Sequence, residues 1–306
     1  HGRPGIMFAV EAGALMTIPV LLWLFRRERE KIEPGTTTVV TDYLPTVLMT
    51  EYPGHATELC RQYAKEYDLV ACAGGDGTLN ETISGLLSCG ADLPIAYLPC
   101  GTTNDLASTL GLSHDLTQAA KEAVTGRDRW LDIGSFNGRS FVYTASFGAF
   151  TKASYDTPQN VKNALGHLAY ILEGIKGLGA IRPIHAKVRT EEGEFEGDYI
   201  FGSVSNTTSL AGIITIDEER VQLDDGKFEL LLVDTPQNAI DTSKLILQAT
   251  QARFGDMLKL YSAAHIEVET GENTDWTLDG EQEKGETRFV IDNLPRAVRL
   301  RVPAQA

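Results

Sequence analysis

The chain has 306 residues and a mass of 33.3 kDa, and 42% of its residues are apolar. That is enough for a large core and, at this length, for two domains. Acidic residues outnumber Lys and Arg by 42 to 27, and the net charge of −15 argues against nucleic acid, whose phosphates such a surface repels. The same balance leaves no polybasic membrane anchor, so contact with lipid falls to local apolar or basic patches such as Arg26, Arg27, Arg29 and Lys31, a cluster that more often is just a solvated helix end.

Ile6 to Phe25 has nearly the length and apolarity of a membrane-spanning helix. Glu11 and Pro19 count against a span. The preferred reading is a buried strand, Ile6 to Val10, a turn at Glu11-Ala12-Gly13 and a buried helix ending near the Arg cluster. A signal peptide is disfavoured, since only Arg3 precedes the apolar run and no clear cleavage site follows. Thr46 to Thr50 reads as a strand and Tyr52-Pro53-Gly54 as a turn, after which Ala56, Leu59, Tyr63 and Tyr67 mark one helix face. Cys60, Cys72, Cys89 and Cys100 show no CxxC spacing, and three of them sit in apolar segments. Reduced thiols in a reducing, cytoplasmic compartment are expected.

Leu69 to Asn80, LVACAGGDGTLN, is the most informative segment. An apolar strand runs through a glycine-rich turn into a helix, the backbone plan of a phosphate site at a helix N-terminus. Gly74, Gly75 and Gly77 lack Cβ, so backbone N–H groups can approach a polyphosphate closely. Asp76 would repel phosphate, which makes a Mg²⁺ ion carried with the nucleotide its expected partner. Thr78 and Glu81 have capping-box spacing, and Leu79, Ile83 and Leu86 continue at helical period. A hairpin at Asp76-Gly77 is the weaker alternative.

A second strand, Leu93 to Pro99, delivers PCGTTNDLAS, where Gly101 frees the backbone and Thr102 with Asp105 again has capping-box spacing. Two such turns, about 25 residues apart, would lie side by side at the carboxyl ends of a parallel sheet, where nucleotides bind.

Beyond about Gly126 the texture becomes strand-rich: Trp130 to Ile133, Ser140 to Phe147, Ile184 to Thr190, Phe195 to Ser205 and Lys227 to Val233, with a hairpin turn in EEGE at 191–194. Two helices interrupt it, Pro158 to Lys176 and Pro236 to Phe254, and Arg288 to Val302 reads as paired strands. Asp-Gly recurs in the loop Gln222-Leu223-Asp224-Asp225-Gly226-Lys227 and in Trp276-Thr277-Leu278-Asp279-Gly280-Glu281, each explicable as a surface turn. The six histidines form no metal pattern, and no GxSxG nucleophile motif appears.

GGDGTLNE followed by LPCGTTNDLA resembles the diacylglycerol-kinase catalytic domain, in particular the soluble bacterial lipid kinases, which are similar in turn to sphingosine and ceramide kinases. The likeness runs from about Thr50 to the C-terminus. NAD kinases and phosphofructokinases share part of the first motif, whereas G-T-x-N-D-x-A is specific to the lipid kinases. The resemblance implies an α/β nucleotide-binding domain with a parallel sheet over residues 1–125, completed by about 295–306. A larger β-rich, β-sandwich-like lipid-substrate domain over 126–294 follows, with the active site in the cleft between the two.

The remaining roles are implied by the resemblance. Thr50 matches a threonine that contacts nucleotide at the end of a strand, and Gly74, Gly75, Asp76, Gly77, Thr78, Leu79, Asn80 and Thr102 join it in holding ATP. The family opens with an Asn-Pro-x-Ser/Ala-Gly loop where this chain has Glu-Ala-Gly, and an acidic side chain there is unfavourable beside ATP phosphates. A structural Mg²⁺ maps onto Asp225 and the backbone carbonyls of Gln222 and Lys227, beside the Mg²⁺ that accompanies ATP. Glu281 maps onto the proton acceptor, leaving Asp76 as the Mg²⁺-linked catalytic residue. The implied activity is phosphorylation of a lipid hydroxyl, with diacylglycerol the first candidate and sphingoid bases or phosphatidylglycerol as alternatives. The lipid would be reached by transient, peripheral membrane contact. A homodimer, a soluble-substrate kinase of the NAD-kinase type and a non-catalytic nucleotide- or lipid-binding regulator stay open.

Overall fold

The computed structural model describes residues 5–10, 44–102, 104–148, 182–206, 209–210, 214–215, 222–251 and 253–304. The chain divides into two compact units, His1–Leu131 with Arg296–Ala306, and Asp132–Pro295.

The first unit is built on short apolar strands that pair in parallel. β1 (Gly5–Val10) lies between β2 (Leu44–Met49) and β3 (Leu69–Gly74), and β3 pairs β4 (Pro94–Pro99). Arg299 and Leu300, near the end of the chain, add a further parallel pairing to β4. β3 and β4 are buried at every position, which accounts for their unbroken apolar runs rather than an alternating pattern. Ile6 to Val10 is therefore strand, not the start of a spanning helix, while the proposed turn and helix over 11–25 lie outside the described residues. Among the described residues no helix is long and apolar enough to cross a membrane.

Helix α1 (His55–Tyr63) buries Ala56, Leu59 and Cys60 and packs on α2 (Asp76–Cys89). The contact is close because position 85 is glycine: a Cβ there would stand 2.6 Å from that of Cys60. α1 stops at Tyr63 and a 3₁₀ turn over Ala64–Glu66 follows, so Tyr67 falls outside the helix face it was expected to share. α3 (Asp105–Thr109) and α4 (Leu116–Thr125) follow β4, and Asp115 caps α4 by accepting from the Gln118 N–H.

Strand β5 (Arg127–Phe136) leads into the second unit, which is strand-rich. The run expected over Ser140 to Phe147 is two strands, β6 (Arg139–Phe141) and β7 (Thr144–Gly148), separated where backbone N–H groups turn toward a side chain described below. β8 (Ile184–Thr190) and β9 (Gly193–Ser205) form a hairpin with Thr190 opposite Gly193. β10 (Ser209–Leu210) and β11 (Ile214–Thr215) make a small ladder, and β12 (Phe228–Asp234) pairs β9 and β13 (Leu258–Ala263) antiparallel.

α5 (Ala239–Thr250) is shorter than the Pro236 to Phe254 expected, because Asn238 caps it by accepting from the Ile240 and Asp241 N–H groups. β14 (His265–Leu278) and β15 (Glu281–Val302) form a long antiparallel hairpin. Arg288 to Val302 is thus one strand whose first part pairs β14, not a strand pair of its own. Trp276 is the centre of this unit's core, with the rings of Phe147, Phe136 and Phe289 at 4.7, 4.9 and 5.1 Å. The helix expected over Pro158 to Lys176 lies outside the described residues.

Candidate active site

In the first unit, the parallel register brings the ends of β2, β3 and β4 to one edge. Thr50 follows β2, Gly74 ends β3 opposite Pro99, and Gly101 follows β4. The two glycine turns touch. The Cys100 N–H donates to the Gly74 carbonyl at 2.8 Å, and a Cβ on Gly101 would sit 2.6 Å from the Gly75 Cα and 2.8 Å from Asn104 Oδ1. A Cβ on Gly74 would lie 2.7 Å from the Thr78 side chain. Glycine is therefore required by close approach at both positions.

Gly75 precedes α2 with no side-chain cap, and Asp76 is the helix's first residue. A helix N-terminus of this kind presents N–H groups and the positive end of the dipole to an anion. The Thr78–Glu81 capping box does not form. The Glu81 carboxylate instead reaches across to α1, accepting from the Gly54 N–H at 2.7 Å and the Ala56 N–H at 3.1 Å, while Thr57 Oγ1 donates to the Glu81 carbonyl. Glu81 thus caps the neighbouring helix, whose own N-cap, Gly54, has no side chain to do so.

Thr102 is not the N-cap of the helix that follows. Asn104 is the N-cap of α3, in the left-handed conformation with φ 52°, and makes no side-chain bond into the helix. Its amide clasps the turn instead: Nδ2 donates to the Gly101 carbonyl at 2.7 Å, and Oδ1 accepts from the Gly101 N–H at 3.0 Å and the Tyr97 hydroxyl at 3.1 Å. The available signal was the Asn itself, a residue that tolerates positive φ.

In the second unit the Asp279-Gly280 pair closes the β14–β15 hairpin with φ of 48° and 89°, the two positive values of a tight hairpin turn. The Asp279 carboxylate accepts three backbone N–H groups, from Val142 at 2.7 Å, Tyr143 at 2.8 Å and Thr144 at 2.9 Å. The Asp279 N–H donates back to the Thr144 carbonyl. This is the side chain that separates β6 from β7, and it fixes the turn that carries Glu281. Glu281 Oε2 accepts from Arg139 Nη2 at 2.5 Å, and the other arm of the same guanidinium pairs with Glu283. Glu281 remains open to solvent, with 64% of its side chain exposed.

The 222–227 loop holds Asp225 on the surface, its Oδ1 accepting from the Lys227 N–H at 2.9 Å. Its anchor is Asp132, buried and absent from the expected site set. Asp132 Oδ2 accepts from the Gly226 N–H at 2.6 Å, its N–H donates to the Leu223 carbonyl, and Asn206 Nδ2 bonds the carbonyls of both Asp132 and Leu223. Asn206 Oδ1 and Asn293 Oδ1, on the same network, are buried without a hydrogen-bond partner. Among the described residues no group of three or more His, Cys, Asp and Glu is placed to hold a metal. One carboxylate and two backbone carbonyls are nevertheless donors of the hard kind that Mg²⁺ takes.

Residues 38–136, spanning both glycine turns, match the diacylglycerol kinase catalytic domain. The chain is 33% identical over 239 residues to a diacylglycerol kinase of Bacillus subtilis (strain 168), covering 76% of this chain and 77% of that one. The chain belongs to the diacylglycerol kinase family. A diacylglycerol kinase of Staphylococcus epidermidis is 30% identical over 244 residues, 79% of this chain and 77% of that one. The fold is that of a crystal structure of a diacylglycerol kinase from Bacillus anthracis, with a TM-score of 0.69 over 99% of this chain and 98% of that one at 20% identity. The protein is thus an enzyme, a phosphotransferase of the diacylglycerol kinase family.

Proposed function

We propose that this kinase transfers the γ-phosphoryl group of ATP to a lipid hydroxyl, with diacylglycerol, the substrate in its relatives' names, as the first candidate. The observation that carries the reading is the contact between the two glycine turns at Gly75 and Gly101, beside the N-terminus of α2. It supports a backbone cradle for a polyphosphate rather than two unrelated loops.

In this reading Thr50, Gly74 to Asn80 and Thr102 hold the nucleotide, and Asp76 is the metal-linked charge beside it. Bound Mg²⁺ would offset charge on the transferring group. Glu281 takes the proton of the attacking hydroxyl, a role worth roughly 10² to 10⁴-fold for a positioned carboxylate. To do so it must exchange Arg139 for the hydroxyl. Glu283 shares the Arg139 guanidinium and keeps it paired when Glu281 lets go. A second, structural cation on the 222–227 loop would be held by Asp225 and the carbonyls of Gln222 and Lys227.

The test is Glu281→Gln, which keeps the size of the side chain and removes its basicity. ATP binding should survive while kcat falls by about two to four orders of magnitude. Turnover above about a tenth of wild type would remove Glu281 from the base role, since a general base contributes far more than that.

A further inference from the structure

We propose that Arg139 is a catalytic residue of the transfer, whose guanidinium passes from Glu281 to the transferring phosphoryl group as Glu281 takes the hydroxyl proton. The inference rests on the reading of Glu281 as base. Arg139 follows Asn137 and Gly138, whose φ values of 48° and 86° make a tight hairpin turn between β5 and β6. That turn is pinned to β15: Asn137 Oδ1 accepts from the Val290 N–H at 2.8 Å, and the Asn137 N–H donates to the Val290 carbonyl at 2.9 Å. Just beyond the far end of β6, the Val142, Tyr143 and Thr144 N–H groups are held by Asp279 of the β14–β15 turn. The three-residue strand that carries Arg139 is thus fixed on both sides to the hairpin that carries Glu281.

Arg139 Nη2 donates to Glu281 Oε2 at 2.5 Å, and Nη1 donates to Glu283. The Arg139 side chain is 45% exposed and that of Glu281 64%, so both are open to an incoming substrate. An ion pair this open contributes little to stability, so the two anchors serve placement rather than strength. The chemistry supplies the need. The hydroxyl oxygen bonds to the γ-phosphorus, the bond from that phosphorus to the β–γ bridging oxygen breaks with its electron pair leaving on ADP, and the hydroxyl proton goes to Glu281. A carboxylate and the phosphoryl oxygens, all negative, must therefore meet at one hydroxyl, and they repel. Once Glu281 turns to the hydroxyl, Nη2 loses its acceptor beside the reacting atoms, and the oxyanion arriving there suits the flat guanidinium fork. Glu283 keeps the other arm, so the cation stays in place.

The experiment is steady-state kinetics with γ-labelled ATP, Mg²⁺ and diacylglycerol micelles on wild type, Arg139→Ala, Arg139→Lys, Glu281→Gln and the double variant Arg139→Ala/Glu281→Gln, with melting curves for each. Arg139→Ala should lower kcat about 100-fold, as the loss of one preorganised donor does. Both KM values should stay within about 3-fold of wild type, and the melting temperature within about 3 °C. Arg139→Lys, which keeps the charge without the fork, should recover about 10-fold of that loss. In the Glu281→Gln background Arg139→Ala should still lower kcat by about 10-fold or more, because it acts on the phosphoryl group and not only through Glu281. A loss that disappears in that background would reduce Arg139 to holding the base and overturn the inference. So would a loss confined to KM, or a kcat within about 3-fold of wild type in Arg139→Ala. If Arg139→Ala failed to fold, Arg139→Lys would decide, and wild-type kcat there would overturn the inference. Lipid turnover above about a tenth of wild type in Glu281→Gln would instead sink the base reading, and the role of Arg139 with it.

Discussion

Asp279→Asn separates the anchoring of the Asp-Gly-Glu turn from the chemistry of Glu281. The backbone should accept the change, since Asn adopts the left-handed conformation at φ 48° at least as readily as Asp. The bonds should not survive intact. Oδ1 accepts from Tyr143 and Thr144, and Oδ2 accepts from Val142. An amide oxygen can keep the first two, but the NH₂ group then faces the Val142 N–H, donor against donor. One charge-assisted bond is lost at about 1.5–3 kcal/mol, and the other two weaken as the charge goes.

The expected destabilisation is about 2–4 kcal/mol, seen as a fall of about 4–16 °C in the melting temperature of the second unit. Asp279→Ala removes all three bonds and adds the cost of left-handed backbone in a residue with no polar side chain, so it should be the worse variant. Thermal melts followed by circular dichroism, with kinase turnover measured below the transition, give both numbers. If Asp279→Asn melted within about 1 °C of wild type, the three N–H contacts would not be holding this turn.

Glu229 gives a pH signature. Burial pushes its carboxyl up to about 8 from an ordinary 4.5, and its Oε2 is buried without a partner. The native state keeps a proton that the unfolded chain loses above about pH 4.5, so stability should fall as pH rises from there through about 8, by at most about 5 kcal/mol. Glu229→Gln should flatten that slope and match or exceed wild type at pH 8; a wild-type melting temperature constant from pH 5 to 8 would contradict it. On the 222–227 loop, Asp225→Ala alone removes one exposed bond, worth about 1 kcal/mol or less. If a cation sits there, chelation of the wild type and the substitution should each lower the melting temperature by several degrees, with no further effect of chelator on the variant. Identical curves with and without chelator would leave the loop as a surface turn.

Three Asp-Gly pairs show what could be read in advance. At Asp279-Gly280 the pair is a hairpin turn between strands, and at Asp225-Gly226 a loop turn with Gly226 at φ 82°, both as turn chemistry expects. At Asp76-Gly77 the same dipeptide opens a helix, because Leu79, Ile83 and Leu86 follow at helical period and are buried on one face. Local periodicity therefore decided among identical pairs. It could not decide the partners of side chains. Glu81 has the spacing to cap its own helix, yet it caps α1, because Gly85 lets the two helices pack closely and Gly54 has no cap to offer. The partners of Asp132 and Asp279 are invisible for the same reason: each binds backbone groups brought near by tertiary packing, 94 and up to 137 positions away. Arg139, whose partners lie more than 140 positions on, carries no local sign of its role.

The central claim is phosphoryl transfer from ATP to a lipid alcohol, and γ-labelled ATP tests it most directly. The enzyme would be incubated with Mg²⁺ and mixed micelles carrying diacylglycerol, a sphingoid base or phosphatidylglycerol, each in parallel with NAD as a soluble acceptor, and Asp76→Ala would serve as the control. The account predicts label in the organic extract, greatest with diacylglycerol, dependent on Mg²⁺ and reduced by orders of magnitude in Asp76→Ala. Label confined to the aqueous phase, or lipid labelling that Asp76→Ala leaves intact, would contradict it.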